Sequence, residues 1–160
     1  MIFEKANEND ISTLVELRKK YLIEDYGDVA DDRLALITNN LDVYFREHLN
    51  KDLMVFVCRD IDNIISVAFL CITEKPANPT FINGRTGTIL NVYTKPEYRN
   101  KGIAGKLLKM LLDESTKMGL DFVELKATDS GYNLYKSLGF EDIISKYHNM
   151  KYVINTNNKF

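Results

Sequence analysis

Tryptophan is absent from this chain, and cysteine, histidine and proline are scarce: two, two and three among 160 residues. Each shortage removes a class of explanation. Cys58 and Cys71 both lie inside apolar, strand-like runs, with no C-x-x-C pair and no histidine cluster, so neither a disulfide framework nor a metal site is indicated. They read as reduced core thiols, because a nucleophilic cysteine is expected beside a histidine or at a helix start. No apolar run is long enough to cross a bilayer, and Met1-Ile2-Phe3-Glu4-Lys5 lacks the layout of a signal peptide. No membrane association is expected, and cytoplasmic residence is. Neither sign of charge dominates: 21 basic residues stand against 23 acidic ones, which gives no general attraction to nucleic acid. Internal repeats, linkers and low-complexity segments are missing as well.

What is present reads as one domain over 1–160, long enough to bury a proper core. Ile2 to Lys5 is a short strand. Asn9 or Asp10 caps a helix whose apolar row is Ile11, Leu14, Val15 and Leu22, with Tyr21 alongside, and Gly27 breaks it. A second helix from Asp31 or Asp32 carries Leu34, Ile37, Leu41, Tyr44, Phe45 and Leu49 on its buried side. His48 falls near that side and reads as a partly buried, hydrogen-bonded ring, not a catalytic one. Leu53 to Cys58 and Ile64 to Thr73 are strands joined by the turn Asp60-Ile61-Asp62-Asn63. A loop with Pro76, Pro79 and Asn83-Gly84 is expected to be mobile and suggests no role. The strand Thr86 to Thr94 follows, then a helix from Gly102 to Met118 stopped by Gly119, and a strand from Phe122 to Lys126. Asp129 or Ser130 caps a short helix ended by Gly139. Asp142 to Lys146 and Asn149 to Ile154 read as a closing hairpin, with a polar tail from Asn155 to Lys159.

The chemistry concentrates where the strand ending at Thr94 meets the next helix. Pro96 ends the strand because it cannot donate to a ladder. Ile103, Leu107 and Leu111 then form one apolar row, with Ala104 and Leu108 beside it. Arg99, Lys101, Gly102 and Gly105 sit where the first free amides of that helix point outward. Such a start, with cations and glycines, suits an anion and above all a phosphate. It can equally be a plain loop-to-helix joint. Neither the G-x-x-x-x-G-K-[ST] loop nor the G-x-G-x-x-G fingerprint is present.

The run Arg99-Asn100-Lys101-Gly102-Ile103-Ala104 closely resembles the R/Q-x-x-G-x-G/A acyl-CoA loop of the GNAT N-acetyltransferase superfamily. The lead-in Val92-Tyr93-Thr94-Lys95-Pro96-Glu97-Tyr98 is similar to the strand before that loop, and Leu134-Tyr135-Lys136-Ser137-Leu138-Gly139-Phe140 to the family's L-Y-x-x-L-G-F helix end. The resemblance is strong over 91–140 and elsewhere is one of compatible element order. It implies an α/β fold of the α+β, mixed-sheet kind: a central mixed β-sheet flanked by about four helices, with a splayed parallel strand pair holding the ligand. It also implies acetyl-CoA as cosubstrate, no metal, and acetyl transfer to a primary amine by direct attack in a ternary complex.

Roles follow from the same resemblance. The loop from Arg99 through Asn100, Lys101, Gly102, Ile103 and Ala104 to Gly105 would hold the pyrophosphate. Backbone groups at Val92, Tyr93 and Thr94 would align the pantetheine arm and polarise the thioester. Tyr135 matches the tyrosine that protonates the departing thiolate, and Tyr132 lies near enough in sequence to substitute for it. Where many members have an asparagine upstream of that tyrosine, this chain has Thr128, a departure; Asn133 is a second candidate for the pantetheine. Some members place a basic glutamate on the strand before the loop, but no carboxylate occurs between Thr86 and Lys95. Asn91 could orient a water there, or an acid could arrive from elsewhere. The connection between the first two helices usually forms the acceptor site, and here it contains Glu24, Asp25, Tyr26, Asp28, Asp31 and Asp32. Those acids would draw in a small cationic amine, although acids at a helix start also favour the helix dipole. Two alternatives stand beside this reading: a non-catalytic acyl-CoA-binding module, and an enzyme acetylating peptides or proteins. Family members are often dimers, and the C-terminal hairpin is a candidate pairing surface for a homodimer.

Overall fold

The computed structural model describes residues 1–155; the polar tail beyond Asn155 lies outside them. In chain order its elements are Ile2–Lys5 (β1), Ile11–Tyr26 (α1), Asp31–His48 (α2), Leu53–Asp60 (β2), Asn63–Glu74 (β3), Arg85–Thr94 (β4), Ile103–Lys117 (α3), Val123–Leu125 (β5) and Asp129–Ser137 (α4), with single 3-10 turns at Glu8–Asp10 and Pro96–Tyr98. The five strands form one sheet in the order β1-β2-β3-β4-β5. The first four are antiparallel neighbours, and β4 and β5 run parallel. This is the mixed sheet with a parallel pair that the resemblance implied.

Strands covered on both faces read as continuous apolar runs, and β2 and β3 show why. Val55, Val57, Val67 and Phe69 point to one face, where they meet Leu14, Val15 and Leu17 of α1 and Phe45 of α2. Phe56, Cys58, Ala68 and Leu70 point to the other, against Ile103, Leu107, Leu108 and Leu111 of α3. The side chains of these rows are almost wholly buried, at about 1.5–3 kcal/mol for each large one. Of the α2 residues, only Phe45 is fully buried; Leu34, Ile37, Leu41 and Tyr44 are half covered.

Three local expectations are corrected. The first helical segment is capped by Asn7, whose side chain accepts from the Asn9 amide, while the Asp10 carboxylate accepts from the Asn7 amide and pairs with Arg59 at 2.7 Å. Asp10 does hold the N-cap position of α1, but its side chain makes no cap bond there, being engaged by the Asn7 amide and the partly buried Arg59 guanidinium. The cap of α4 is likewise Thr128, which accepts from the Gly131 amide at 3.3 Å. The C-terminal hairpin does not form: no strand occurs between Glu141 and Asn155, and Ile144, Met150, Tyr152 and Ile154 are 89–98 % exposed. The alternating apolar pattern is real, but the segment stands across a cleft from the outer side of β5 and forms no ladder with it. In the loop after β3 the Asn83 amide donates to Asp121 at 3.0 Å and the Lys75 amide to the Gly84 carbonyl at 2.7 Å.

Candidate active site

β4 pairs with β5 only through Gly87–Val123, Thr88–Glu124 and Ile89–Leu125. On its other edge Ile89 faces Leu70 and Asn91 faces Phe69, so Leu90 has no partner. An extra residue of this kind is a β-bulge, which bends the strand and resets its alternation. Ile89 therefore packs against α3, whereas Asn91 and Tyr93 turn under α1. Beyond the bulge β4 continues to Thr94 while β5 ends, and a cleft of about 630 Å³ opens between β4, the loop after it, α1 and α4.

The loop forms the cleft's anionic-ligand end. Asn100 and Gly102 take left-handed φ angles of 59° and 72°, affordable for these two residue types. Gly102 caps α3 without any side-chain hydrogen bond, and the first bond of the helix runs from the Lys106 amide to the Gly102 carbonyl at 3.2 Å. The amides of Ile103, Ala104 and Gly105 thus have no acceptor among the described residues. All three residues line the cleft, as do Arg99, Asn100 and Gly102. Unpaired N–H groups at the positive end of a fifteen-residue helix favour an anion, so this end fits a diphosphate. Arg99 donates through Nε to the Thr94 carbonyl at 2.9 Å and through Nη2 to Glu24 at 2.7 Å. Lys101 turns away: its Nζ donates to the Glu97 carbonyl at 3.0 Å, and it is not on the wall.

Tyr135 stands across the cleft on α4, half-buried, its ring edge-to-face with Phe140 at 5.8 Å. No described residue hydrogen-bonds its hydroxyl. Burial, then the nearby Tyr21 phenol, pushes its pKa above the ordinary tyrosine value, so it carries its proton at neutral pH. A Cβ on Gly131 would come within 3.0 Å of the Tyr135 ring, so the glycine leaves that ring its seat. Tyr132 is bound instead to Asp142 at 2.9 Å and exposed, which removes it as a substitute. Thr128 lines the cleft; Asn133 is exposed and does not.

α1 supplies the third wall through Tyr21, Glu24 and Asp25. Tyr21 donates to Asp25 at 3.4 Å. Tyr26 is 56 % exposed and off the wall. Asn91, expected to orient a water, is 1 % exposed and does not line the cleft; its Oδ1 accepts from Arg18 Nη1 at 2.9 Å. The bulge is the reason: it points Asn91 into the packing beneath α1. His48 accords with its expectation, since it bonds Asp52 at 2.7 Å and stacks on Tyr44 at 4.4 Å.

Tyr98, Ser130, Gly131 and Leu134 also line the cleft but were not among the sequence candidates. The apolar face of α4 was the signal for Leu134; none was available for the others. A second cleft, about 980 Å³, lies between β5, α4 and the segment 141–147. Among the described residues no helix is long and apolar enough to cross a membrane, and no group of three or more metal-ligating side chains occurs.

The model of the Acetyltransferase (GNAT) family matches residues 12–140, well over half of the chain. A crystal structure of a predicted acetyltransferase with acetyl-CoA from Clostridium acetobutylicum superposes with a TM-score of 0.83 at 31 % identity, covering 94 % of this chain and 95 % of that one. A GCN5-related N-acetyltransferase from Ralstonia eutropha JMP134 shares the fold, with a TM-score of 0.78 at 21 % identity over 93 % and 97 % of the two chains. A thialysine N-epsilon-acetyltransferase from Bos taurus is 33 % identical over 63 residues. That match spans 38 % of this chain and only 37 % of the bovine protein.

Proposed function

The chain belongs to the GNAT acetyltransferase family, and on that premise we propose that it moves the acetyl group of acetyl-CoA to the primary amine of a small molecule by direct attack in a ternary complex. The observation that carries this reading is the meeting, in one cleft, of unpaired helix-start amides and an unpaired, protonated tyrosine. Residues 1–160 act as a single acetyltransferase domain. Free Cys58 and Cys71 suit the reducing cytoplasm.

In this mechanism the amides of Ile103, Ala104 and Gly105 hold the pyrophosphate, with Arg99 adding charge once it leaves Glu24. The open edge of β4 at Val92 to Thr94 orients the pantetheine arm and the thioester carbonyl. Thr128, already engaged as a helix cap, contributes its position on the wall. Glu24 and Asp25 draw in the acceptor as an ammonium ion, and Asp25 takes the proton that the amine must lose. The neutral nitrogen attacks the thioester carbon; as the tetrahedral adduct collapses, the C–S bond breaks, the carbonyl re-forms and the nitrogen gives its second proton to solvent. The thiolate receives the Tyr135 proton, which solvent then returns to the phenolate. The carboxylate missing from β4 is thus supplied by α1. The bovine thialysine enzyme supports a small amine as the acceptor, over the part that matches.

The test is thiol release from acetyl-CoA over a panel of polyamines, amino acids, aminoglycosides and short peptides, with Tyr135→Phe alongside. Turnover of a small amine that collapses in the variant is the expected result. Peptides alone as acceptors would replace the small amine with a protein. A thermal shift by acetyl-CoA without any turnover would favour a binding module. No shift at all would refute the cofactor assignment.

We also propose a homodimer in which the 141–154 segment covers its exposed apolar side chains against a second copy. Sedimentation as a monomer at micromolar concentration would refute it.

A further inference from the structure

α1 turns three side chains to the cleft, Tyr21, Glu24 and Asp25, and the two acids alone have a task in the acetyl transfer described. Tyr21 differs from them in depth: Asp25 is exposed, whereas Tyr21 is half-buried against the core beneath α1. The two stand one helical turn apart, so their side chains are neighbours, and the Tyr21 hydroxyl donates to Asp25 Oδ2 at 3.4 Å. One turn earlier the Arg18 guanidinium lies over the Tyr21 ring, 5.2 Å from its centroid, and is anchored there by its bond to Asn91 at 2.9 Å.

Tyr21 also faces the acid of the reaction. Tyr135 lines the same cleft from α4, and besides burial the influence on its phenol comes from Tyr21, not from Asp25. The Tyr21 hydroxyl therefore lies between the two groups, bonded to the carboxylate at the exposed end and within electrostatic reach of the phenol across the cleft. The sulfur that Tyr135 protonates and the nitrogen that attacks share one carbon in the tetrahedral adduct, so the nitrogen, too, reacts close to Tyr135. A carboxylate at the exposed end of the wall reaches that nitrogen through an intermediary. Burial first, then Asp25, raises the Tyr21 pKa above the ordinary tyrosine value, with Tyr26 adding to this and Arg18 opposing it. The phenol thus has a proton to pass on at neutral pH, and the guanidinium over its ring tempers negative charge on the oxygen as that proton moves.

We propose that Tyr21 is a catalytic proton relay that carries the proton of the acceptor's ammonium group to Asp25. The proposal rests on the acetyltransferase reading above and adds the path between the amine and its base. As the N–H bond of the ammonium breaks, its proton passes to Tyr21 Oη, and the proton already on that oxygen passes to Asp25 Oδ2. The phenol ends neutral, the carboxylate ends as the acid, and the amine is left with the lone pair that attacks the thioester.

The test is thiol release from acetyl-CoA with putrescine, cadaverine and L-lysine as acceptor probes, measured from about pH 6 to about pH 10, where such amines become neutral by themselves. Tyr21→Phe keeps the ring, its packing and the Arg18 contact, and removes one oxygen. At neutral pH it should lower kcat/KM for the amine about tenfold or more, part of what a positioned base contributes. The loss relative to wild type should shrink as pH rises towards the amine's own pKa, because a neutral amine needs no relay. Asp25→Asn should show the same pH-dependent loss, and the double variant should be no worse than Asp25→Asn alone, since both groups serve one path. Desulfo-CoA binding, followed calorimetrically, should be unchanged in Tyr21→Phe. Activity of Tyr21→Phe within about twofold of wild type at every pH overturns the proposal. So does a loss of equal size at every pH, the mark of a packing residue, and so do losses that multiply in the double variant. Failure of the acetyltransferase reading shows separately, as no thiol release by the wild-type protein with any probe, and it takes this inference with it.

Discussion

Replacing Tyr135 by Phe removes one oxygen whose loss can be followed through both stability and rate. The hydroxyl has no hydrogen-bond partner among the described residues, and the ring is held by its edge-to-face contact with Phe140 and by the space that Gly131 leaves. Phe keeps those contacts, so stability should change by less than about 1 kcal/mol, since no intramolecular hydrogen bond is broken. For a chain of this size that is within about 2–4 °C in Tm. Chemistry should suffer far more. A positioned general acid typically contributes about 10²–10⁴ in rate, or roughly 3–5 kcal/mol of barrier. A thiolate is a tolerable leaving group even without a proton, so the lower end applies, and kcat should fall about 100-fold. KM for acetyl-CoA should stay within a factor of about three, because the hydroxyl is assigned to the transition state and not to ground-state binding. Single-turnover quench kinetics are the right assay, since slow product release would hide a change in the chemical step. Unchanged single-turnover rates would remove Tyr135 from the mechanism. A joint fall in rate, cofactor affinity and Tm would make it a packing residue.

The Arg99–Glu24 pair is half exposed, and such pairs are worth about 0–1 kcal/mol. Glu24→Ala should therefore tighten acetyl-CoA binding, measured calorimetrically without acceptor, by up to about fivefold; unchanged or weaker binding would mean that Arg99 does not exchange Glu24 for phosphate. At Gly105 a Cβ would meet only Leu134 Cδ1 at 3.5 Å, an ordinary contact. Gly105→Ala should stabilise the free protein by about 0.5–1 kcal/mol in chemical denaturation, while weakening acetyl-CoA binding because a methyl group then lines the phosphate approach. Stabilisation with full affinity would make that glycine dispensable for the cofactor. Burial raises the pKa values of Tyr21, Tyr93 and Tyr135, and that of Tyr44 most of all. Because these folded-state values lie above the unfolded value of about 10, their contribution is complete below that pH and is lost as pH rises through the folded values. Denaturation midpoints should thus fall above about pH 10, with the tyrosinate absorbance of the covered tyrosines appearing together with unfolding; full ionisation of all nine tyrosines in a still-folded protein would refute this.

Local chemistry alone was enough for most of the architecture. Period-2 runs in β2 and β3, helical spacing from Ile103 to Leu111, and glycines at 27, 119 and 139 place the elements within a residue or two of their observed ends. The free amides at the Gly102 helix start were legible for the same reason: unpaired amides follow from helix geometry wherever no side chain caps them. Thr128 as a cap was not, because Asp129 and Ser130 have equal propensity and only the backbone path selects among them. The strand-like alternation after Glu141 was also correctly seen yet insufficient, since a strand exists only with a partner edge.

The side of the cleft beneath α1 depended on tertiary structure for a definite reason. Whether Asn91 faces α3 or α1 depends on one unpaired residue, Leu90, and a single bulge inverts the face of everything beyond it. That inversion brings Asn91 beneath Arg18, 73 residues earlier in the chain. Arg18 itself left a faint trace, a lone cation in an otherwise apolar helical row, which could equally have snorkelled to solvent. The sequence by itself determined the order of the elements up to α4, the uncapped helix start at Gly102 and the tyrosine near the end of α4, because each rests on contacts between near neighbours or on a regular period. Only the tertiary structure decided what α1 presents to the cleft, because that rests on a strand register and a pairing across distant parts of the chain.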